Sequence, residues 1–350
     1  MTFTTAVVGG GSGAENHLSG VQECPHAELV AVCDPDETRA SELATEYDIN
    51  AYADFEGLLA RESLDWIHLC TPVETHLELA RMAIEDGIPV LIAEPVTESV
   101  PEAEELARLA EAYDATVSVG HPHDFSPAMR ETRRRVEEGA IGALRSVDLL
   151  YAGEFEAMLP DPIYVMLNLG GSPSSLGSVQ ANTSTSDESP PGFEYDSAQF
   201  QYTTDDGVLC SATVLDDDVP RKVVQVHGDR GSLEVDVASQ SVTVLDRDGR
   251  PSPESGTLAP VDTVLDSVRS TAETLAAVAG YGTDGDRGTA ETLDAHSSQF
   301  CEEVRAIQWG GPAAVPVTEG TWTLRIMERL SASATDPKAV PAAPVNPERT

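Results

Sequence analysis

Lysine is almost missing from this chain. Of 350 residues only Lys222 and Lys338 are lysines, and Lys and Arg together number 21 against 60 acids, a formal net charge of −39. Such a surface repels phosphate backbones and anionic lipid, so neither nucleic acid nor a membrane is an expected partner. Acidic, lysine-poor composition throughout resembles that of halophilic cytoplasmic proteins, whose self-repulsion is screened by accumulated salt. It predicts unfolding when salt is lowered. Long hydrophobic runs are missing too: none approaches the roughly 18 apolar residues of a membrane span. The start lacks the basic and then apolar pattern of a secretory signal. Cysteine is sparse. Cys24, Cys33, Cys70, Cys210 and Cys301 are odd in number, scattered and without a C-x-x-C pair, which points to a reducing cytoplasm and no structural zinc.

What is present begins at the first seventeen residues. The β-branched run Thr4 to Val8 breaks into Gly9-Gly10-Gly11-Ser12-Gly13-Ala14, and a helix pattern opens directly behind it. Read as G-x-G-x-x-A, Gly9 permits the tight turn, Gly11 lets backbone approach a pyrophosphate, and Ala14 lets helix and strand pack closely. Free N–H groups around Ser12 and Gly13 would receive the phosphates. A second buried strand, Glu28 to Cys33, ends at Asp34, where an acid holds the ribose hydroxyls of a dinucleotide. Asp36 and Glu37 would repel a 2′-phosphate and Arg39 is the only cation nearby, so NAD is favoured over NADP.

Strand and helix patterns then alternate, the signature of a parallel α/β sheet. Strands are predicted at Trp66 to Cys70, Pro89 to Ala93 and Thr116 to Val119. Helices are predicted at Thr38 to Tyr47, His76 to Glu85 and Ser99 to Tyr113, the last with Ser99 as N-cap, Pro101 in the first turn and Glu102 at capping-box spacing. Residues 1–122 thus read as an α/β Rossmann-type dinucleotide-binding domain. After a helix at Pro127 to Glu138 the chain becomes strand-rich, with predicted strands at 146–151, 178–182, 198–203, 208–214, 222–226, 232–237 and 241–245. Turn signals at Asp205-Asp206-Gly207 and Gly228-Asp229-Arg230-Gly231 predict antiparallel hairpins. Residues 123–335 read as an α+β C-terminal domain with a mostly antiparallel open sheet, loops near 183–191 and 280–288, and closing helices at Ala295 to Trp309 and Glu319 to Ala334. Residues 336–350 read as a disordered tail.

The order of these elements, with Gly9-x-Gly11-x-x-Ala14-x-x-His17 and Thr71-Pro72-Val73-Glu74-Thr75-His76, resembles the Gfo/Idh/MocA family of NAD(P)-dependent oxidoreductases. The resemblance continues through Pro89 to Pro95, His123-Asp124-Phe125-Ser126-Pro127, Glu138-Gly139-Ala140-Ile141-Gly142 and the closing segment from Phe300. It implies that Gly9, Gly11, Ser12, Gly13, Ala14 and His17 line the cofactor phosphates, and that Asp34 binds the adenosine ribose. Thr71, Pro72, His76 and Pro95 would then sit near the nicotinamide half. It also implies a small-molecule substrate of sugar or polyol type, and a homodimer or homotetramer formed through the open face of the second sheet.

The sequence departs from this family where chemistry occurs. The family carries Glu-Lys-Pro after the Pro89–Ala93 strand; here Ala93-Glu94-Pro95 stands, and no lysine occurs before Lys222. The family also places Asp and His four residues apart on a second-domain helix. The corresponding stretch, Glu154 to Gly170, has no histidine, and Pro160 and Pro162 disfavour the same helix start. Glu94 is therefore a candidate catalytic residue. Ionised, it favours a positive nicotinamide and disfavours an alkoxide; desolvated, with raised pKa, it can shuttle a proton. His123 is the second candidate proton carrier, with His121, Tyr151 and Glu156 as further groups. The run His121-Pro122-His123-Asp124 would suit a metal. With eight histidines in all and no second ligand cluster, no metal is expected. Three functions stay open: an NAD(P)-dependent oxidoreductase with atypical proton chemistry, a non-catalytic dinucleotide-binding sensor, and a reductase of a conjugated acceptor.

Overall fold

The computed structural model describes residues 2–11, 13–153, 159–184, 196–251 and 287–335. Ser12, Glu156, the loop readings over 185–191 and 280–286, and the 336–350 tail lie outside the described residues. Within them the strands form two sheets. The first holds β1 (Phe3–Val8), β2 (Ala27–Cys33), β3 (Asn50–Tyr52), β4 (Trp66–Leu69), β5 (Val90–Ile92) and β6 (Val117–Val119), in the order β3-β2-β1-β4-β5-β6 and parallel throughout. Strand order reverses between β1 and β4, and ligands of doubly wound sheets bind outside the carboxyl ends of the strands at such a switch point. β4 is buried along its whole length, which is why it reads as a continuous apolar run and not as alternation.

Helices α1 (Ala14–Glu23), α2 (Glu37–Tyr47), α3 (Phe55–Arg61), α4 (His76–Glu85) and α5 (Val100–Tyr113) connect these strands. β3 and α3 escaped the sequence reading because a three-residue edge strand and a two-turn helix are too short to show a period. Asp36 caps α2 by accepting from the backbone N–H of Thr38 and Arg39. Ser99 has the extended backbone of an N-cap, but its side chain makes no capping bond; the capping-box spacing at Glu102 goes unused.

After α6 (Pro127–Glu137), the second sheet comprises β7 (Leu144–Gly153), β8 (Gln180–Ser184), β9 (Ser197–Thr203), β10 (Leu209–Asp216), β11 (Arg221–Gly228), β12 (Gly231–Asp236) and β13 (Ser241–Asp246), ordered β13-β12-β11-β7-β10-β9-β8. Both predicted hairpins form. One pair, β7 with β10, is parallel. The chain leaves β7 through α7 (Pro160–Gly170) and re-enters at the far edge, so the β8–β9–β10 meander returns β10 alongside β7. Pro160 and Pro162, expected to disfavour the family's helix start, fall in the first turn of α7, with Pro160 its first residue, where a missing N–H costs no intrahelical bond.

Two helices close the chain, α8 (Arg287–Trp309) and α9 (Val317–Thr335). α8 returns to the first sheet, where Phe300 packs with Val21, Trp66 and Leu91. Gly20 lets the helices approach, since a Cβ there would lie 2.9 Å from both His296 Cβ and Phe300 Cε2. Cys24 and Cys301 are joined as a disulfide across 277 residues, with Cα atoms 5.8 Å apart. The scattered cysteines, read as a sign of a reducing compartment, did not signal this pairing, since nothing in the spacing of two such distant residues brings them together. Among the described residues no helix is long and apolar enough to cross a membrane.

Candidate active site

The glycine turn lies at the carboxyl end of β1. Gly9, at φ +97°, has no room for a side chain, because a Cβ would lie 2.5 Å from the Cys70 carbonyl oxygen. At Gly11 and Gly13, by contrast, no protein atom comes within 4 Å of a Cβ position. One side of the turn is thus closed against β4 and the other is open, as the approach of a pyrophosphate requires. Asp34 is buried. Its Oδ2 accepts from the Gly10 N–H at 2.6 Å and its Oδ1 from the Asp36 N–H at 2.8 Å, fixing the acid against the turn. Arg39 reaches Asp34 at 3.4 Å and Asp36 at 3.8 Å, so its charge is already met by two carboxylates. These residues fit a dinucleotide.

Two of the residues that the family resemblance assigns to the cofactor, His17 and His76, are buried in contacts with the protein itself. His17 is 6% exposed, its Nδ1 lies 3.1 Å from His68 Nδ1, and its ring packs among His68, His296 and Phe300. Burial holds both rings neutral, with His68 pushed down to about 3 and His17 also well below its usual value. His76 is also buried. Its Nε2 lies 2.8 Å from the Thr71 carbonyl oxygen, and its Nδ1 lies 3.1 and 3.3 Å from the carbonyls of Pro95 and Val96. It therefore buckles the loop after β4, which carries Thr71 and Pro72, to the loop after β5, which carries Glu94 and Pro95.

Beyond the carboxyl ends of β5 and β6, five polar side chains from distant segments converge. Glu94 follows β5, and its Oε2 lies 3.3 Å from His121 Nδ1, which follows β6. His123, in the one-turn helix Pro122–Phe125, brings Nε2 to 3.3 Å from Asp161 Oδ2 in the first turn of α7. Lys222 of β11 places Nζ 2.9 Å from His123 Nε2 and 4.0 Å from Asp161 Oδ2. It pairs across the ladder with Tyr151 of β7, whose buried side shares the helix-covered face, and this directs the amine inward. Tyr164 of α7 stacks on His121 with ring centres 4.2 Å apart and planes 3° from parallel. Its hydroxyl accepts from Asn168, which also donates to Asp124, itself paired with Arg133.

The electrostatics follow from burial. Glu94 is pushed up to about 7, first by desolvation and then by Asp161, against the pull of His121 and Lys222. His123 is pushed down, again first by burial. Near neutral pH the cluster can therefore hold or release a proton within a water-poor cleft. Glu94, His121, Pro160 and Thr323 help to line an adjoining cavity of about 10 Å³, room for roughly one water molecule.

Sequence reasoning brought Glu94, His121 and His123 to this place but missed Asp161, Tyr164 and Lys222. Lys222 lies far downstream of the position at which the resemblance expects a lysine. One signal was available: a chain with two lysines keeps one of them in the middle of a strand-rich domain.

This architecture joins a Rossmann-type parallel sheet to a mostly antiparallel, mixed second sheet, with polar groups gathered beyond the carboxyl ends of β5 and β6. Residues 3–121 match the family described as an oxidoreductase family with NAD-binding Rossmann fold. The match, to the Gfo/Idh/MocA family, covers the Rossmann-type sheet and not the second sheet. A D-apiose dehydrogenase of Paraburkholderia graminis is 27% identical over 141 residues, 40% of this chain and 38% of that protein. A D-xylose 1-dehydrogenase (NADP(+)) of Haloferax volcanii is 32% identical over 152 residues, 43% of this chain and 45% of that protein. The chain thus spans less than half the length of the curated relatives it matches. In fold the likeness extends further. An oxidoreductase from Agrobacterium radiobacter, solved with NAD+, L-tartaric acid and magnesium, superposes with a TM-score of 0.76 at 16% identity, covering 97% of this chain and 98% of that one.

Proposed function

We propose that this protein is an NAD-dependent dehydrogenase that oxidises a hydroxyl of a sugar or polyol-like small molecule, or reduces the matching carbonyl. The observation that carries the reading is the Lys222–His123 contact of 2.9 Å beside Glu94. It supplies a cation and a proton acceptor where the family's lysine is missing. Gly9, Gly11, Gly13 and Ala14 would take the pyrophosphate, together with Ser12. Asp34 would take the ribose, and Thr71, Pro72 and Pro95 would face the nicotinamide half. When bound, the cofactor supplies the hydride acceptor. NAD is preferred to NADP because Arg39 is already paired with Asp34 and Asp36.

The chain's own residues handle the proton. His123, kept neutral by burial, accepts it from the substrate hydroxyl. Lys222 holds positive charge beside the oxygen as negative charge develops there, and Asp161 steadies both through Oδ2. Glu94 stands at the same edge as the second proton-exchanging group. A positioned base contributes about 10²–10⁴-fold. The relatives' names, apiose and xylose dehydrogenase, support the substrate class. The outward face of the second sheet presents half-buried Leu150, Thr213, Leu215 and Val223, which supports assembly into a homodimer or homotetramer.

The test is to measure NAD+ and NADH binding in molar salt with chelator present, then to follow nicotinamide absorbance with a panel of sugars, polyols and their carbonyl forms. Binding with turnover is expected. Tight binding with no turnover on any compound would favour a sensor, and no binding would end the reading.

A further inference from the structure

The cleft also contains a set of metal ligands whose parts come from three separate elements. One ligand atom each from Glu94, His121 and Asp161 lies within 4.8 Å of the other two. In sequence the His121–Asp124 run had no second ligand group to pair with; folding provides it from the ends of β5 and α7. The His121 side chain is 2% exposed, and both its ring nitrogens and Glu94 Oε2 are buried without a hydrogen-bond partner. The Glu94–His121 contact of 3.3 Å thus lacks the geometry of a hydrogen bond. Buried polar atoms left in this state are costly unless something else engages them.

From this geometry we propose that Glu94, His121 and Asp161 form a binding site for a divalent transition-metal ion of the zinc class. One imidazole and two carboxylates match the ligand preferences of Zn²⁺, with three protein ligands leaving a further position open. Ligand atoms within 4.8 Å of one another need move only about 1 Å or less to reach bonds of roughly 2.0–2.2 Å. Tyr164, stacked on His121, fixes the plane of the imidazole. His123 and Lys222 hold Asp161 through Oδ2. The amine is also a competing cation, so Zn²⁺ binding works against Lys222 as well as against a proton on Glu94. A bound ion would restore positive charge at the position where this chain carries Glu94.

The inference goes beyond the dehydrogenase reading and is tested without NAD. The full chain, stripped of metal and kept in high salt, is titrated with Zn²⁺ against a chromophoric chelator, and bound zinc is counted by elemental analysis. One equivalent is expected, with a rise in Tm. Glu94→Gln and His121→Ala should each weaken binding at least about tenfold, Lys222→Met should tighten it, and His26→Ala, at an exposed site, should leave it unchanged. Circular dichroism checks that each variant folds, and Asp161→Asn replaces any that does not. Zinc binding that is absent, or that is indifferent to all three ligand substitutions, overturns the proposal while leaving the NAD titration untouched.

Discussion

Lys222 Nζ lies 2.9 Å from His123 Nε2, joining a strand of the second sheet to the turn after β6 across 99 residues of sequence. The contact restores a lysine to the crevice from the opposite side of the molecule. Lys222→Met should therefore lower kcat by about 10²-fold or more while NAD+ affinity stays within about twofold. Lys222→Arg should recover part of the rate, since it keeps charge but not the compact amine. Equal loss of kcat and of NAD+ binding would show that Lys222 supports the fold and not the reaction.

The fold was largely legible. Each strand of the second sheet was signalled by alternation and turn residues, and the crevice by Gly9, Gly11 and Asp34. The polar cluster around His123 was legible only in part. Glu94 and His123 stand at the ends of strands whose order the sequence reveals, but Asp161 and Lys222 arrive through tertiary packing, which no local pattern records. The surroundings of His17 were hidden for the same reason: its ring packs with His296 and Phe300, from the other end of the fold.

Asp34 accepts from Gly10 and Asp36 and pairs with Arg39. Asp34→Ala should weaken NAD+ binding by about tenfold or more, roughly 1.4 kcal/mol per decade, measured by titration calorimetry in high salt. It should also narrow the preference for NAD over NADP, because Arg39 loses its nearest carboxylate. An unaltered NAD+ affinity would remove Asp34 from the ribose site.

At Gly9 a Cβ would press on the Cys70 carbonyl at 2.5 Å, at a φ of +97° that side chains rarely adopt. Gly9→Ala should lose several kcal/mol of stability and much of its NAD+ affinity. Gly13→Ala, which meets nothing within 4 Å, should keep its stability. Denaturant melts of the two variants separate fold from ligand approach.

Stability should respond to pH from both sides. Glu303 of α8 is pushed up to about 7 by burial beside Ser118. Its protonated form is favoured on folding, so its contribution is full below about pH 4.5 and is lost as pH rises through 7, on the order of 3 kcal/mol. Glu303→Gln should flatten that alkaline loss. His68 behaves oppositely: buried neutral, with a folded value of about 3, it costs stability as pH falls below about 6.5, where the unfolded imidazole takes up a proton. His68→Leu should make the acid limb shallower in urea melts.

A net charge of −39 makes screening part of the fold. Tm should rise steeply between millimolar and molar salt, as the Debye length falls from tens of ångströms to about 3 Å. A Tm independent of salt would contradict this.

α8 begins 165 residues after the last turn of the parallel sheet's crevice, His121-Pro122, yet Phe300 and Val304 share a core with Val21, Trp66 and Leu91, and Cys301 is tied to Cys24. The cofactor half is therefore not severable at residue 122. A fragment ending there would leave Trp66 and Leu91 uncovered and Cys24 as a free thiol, and should be recovered as aggregate. Synthesis of the chain must also run past residue 304 before its first-made sheet can be complete, so nascent chains carry an unfinished nucleotide fold for most of their translation.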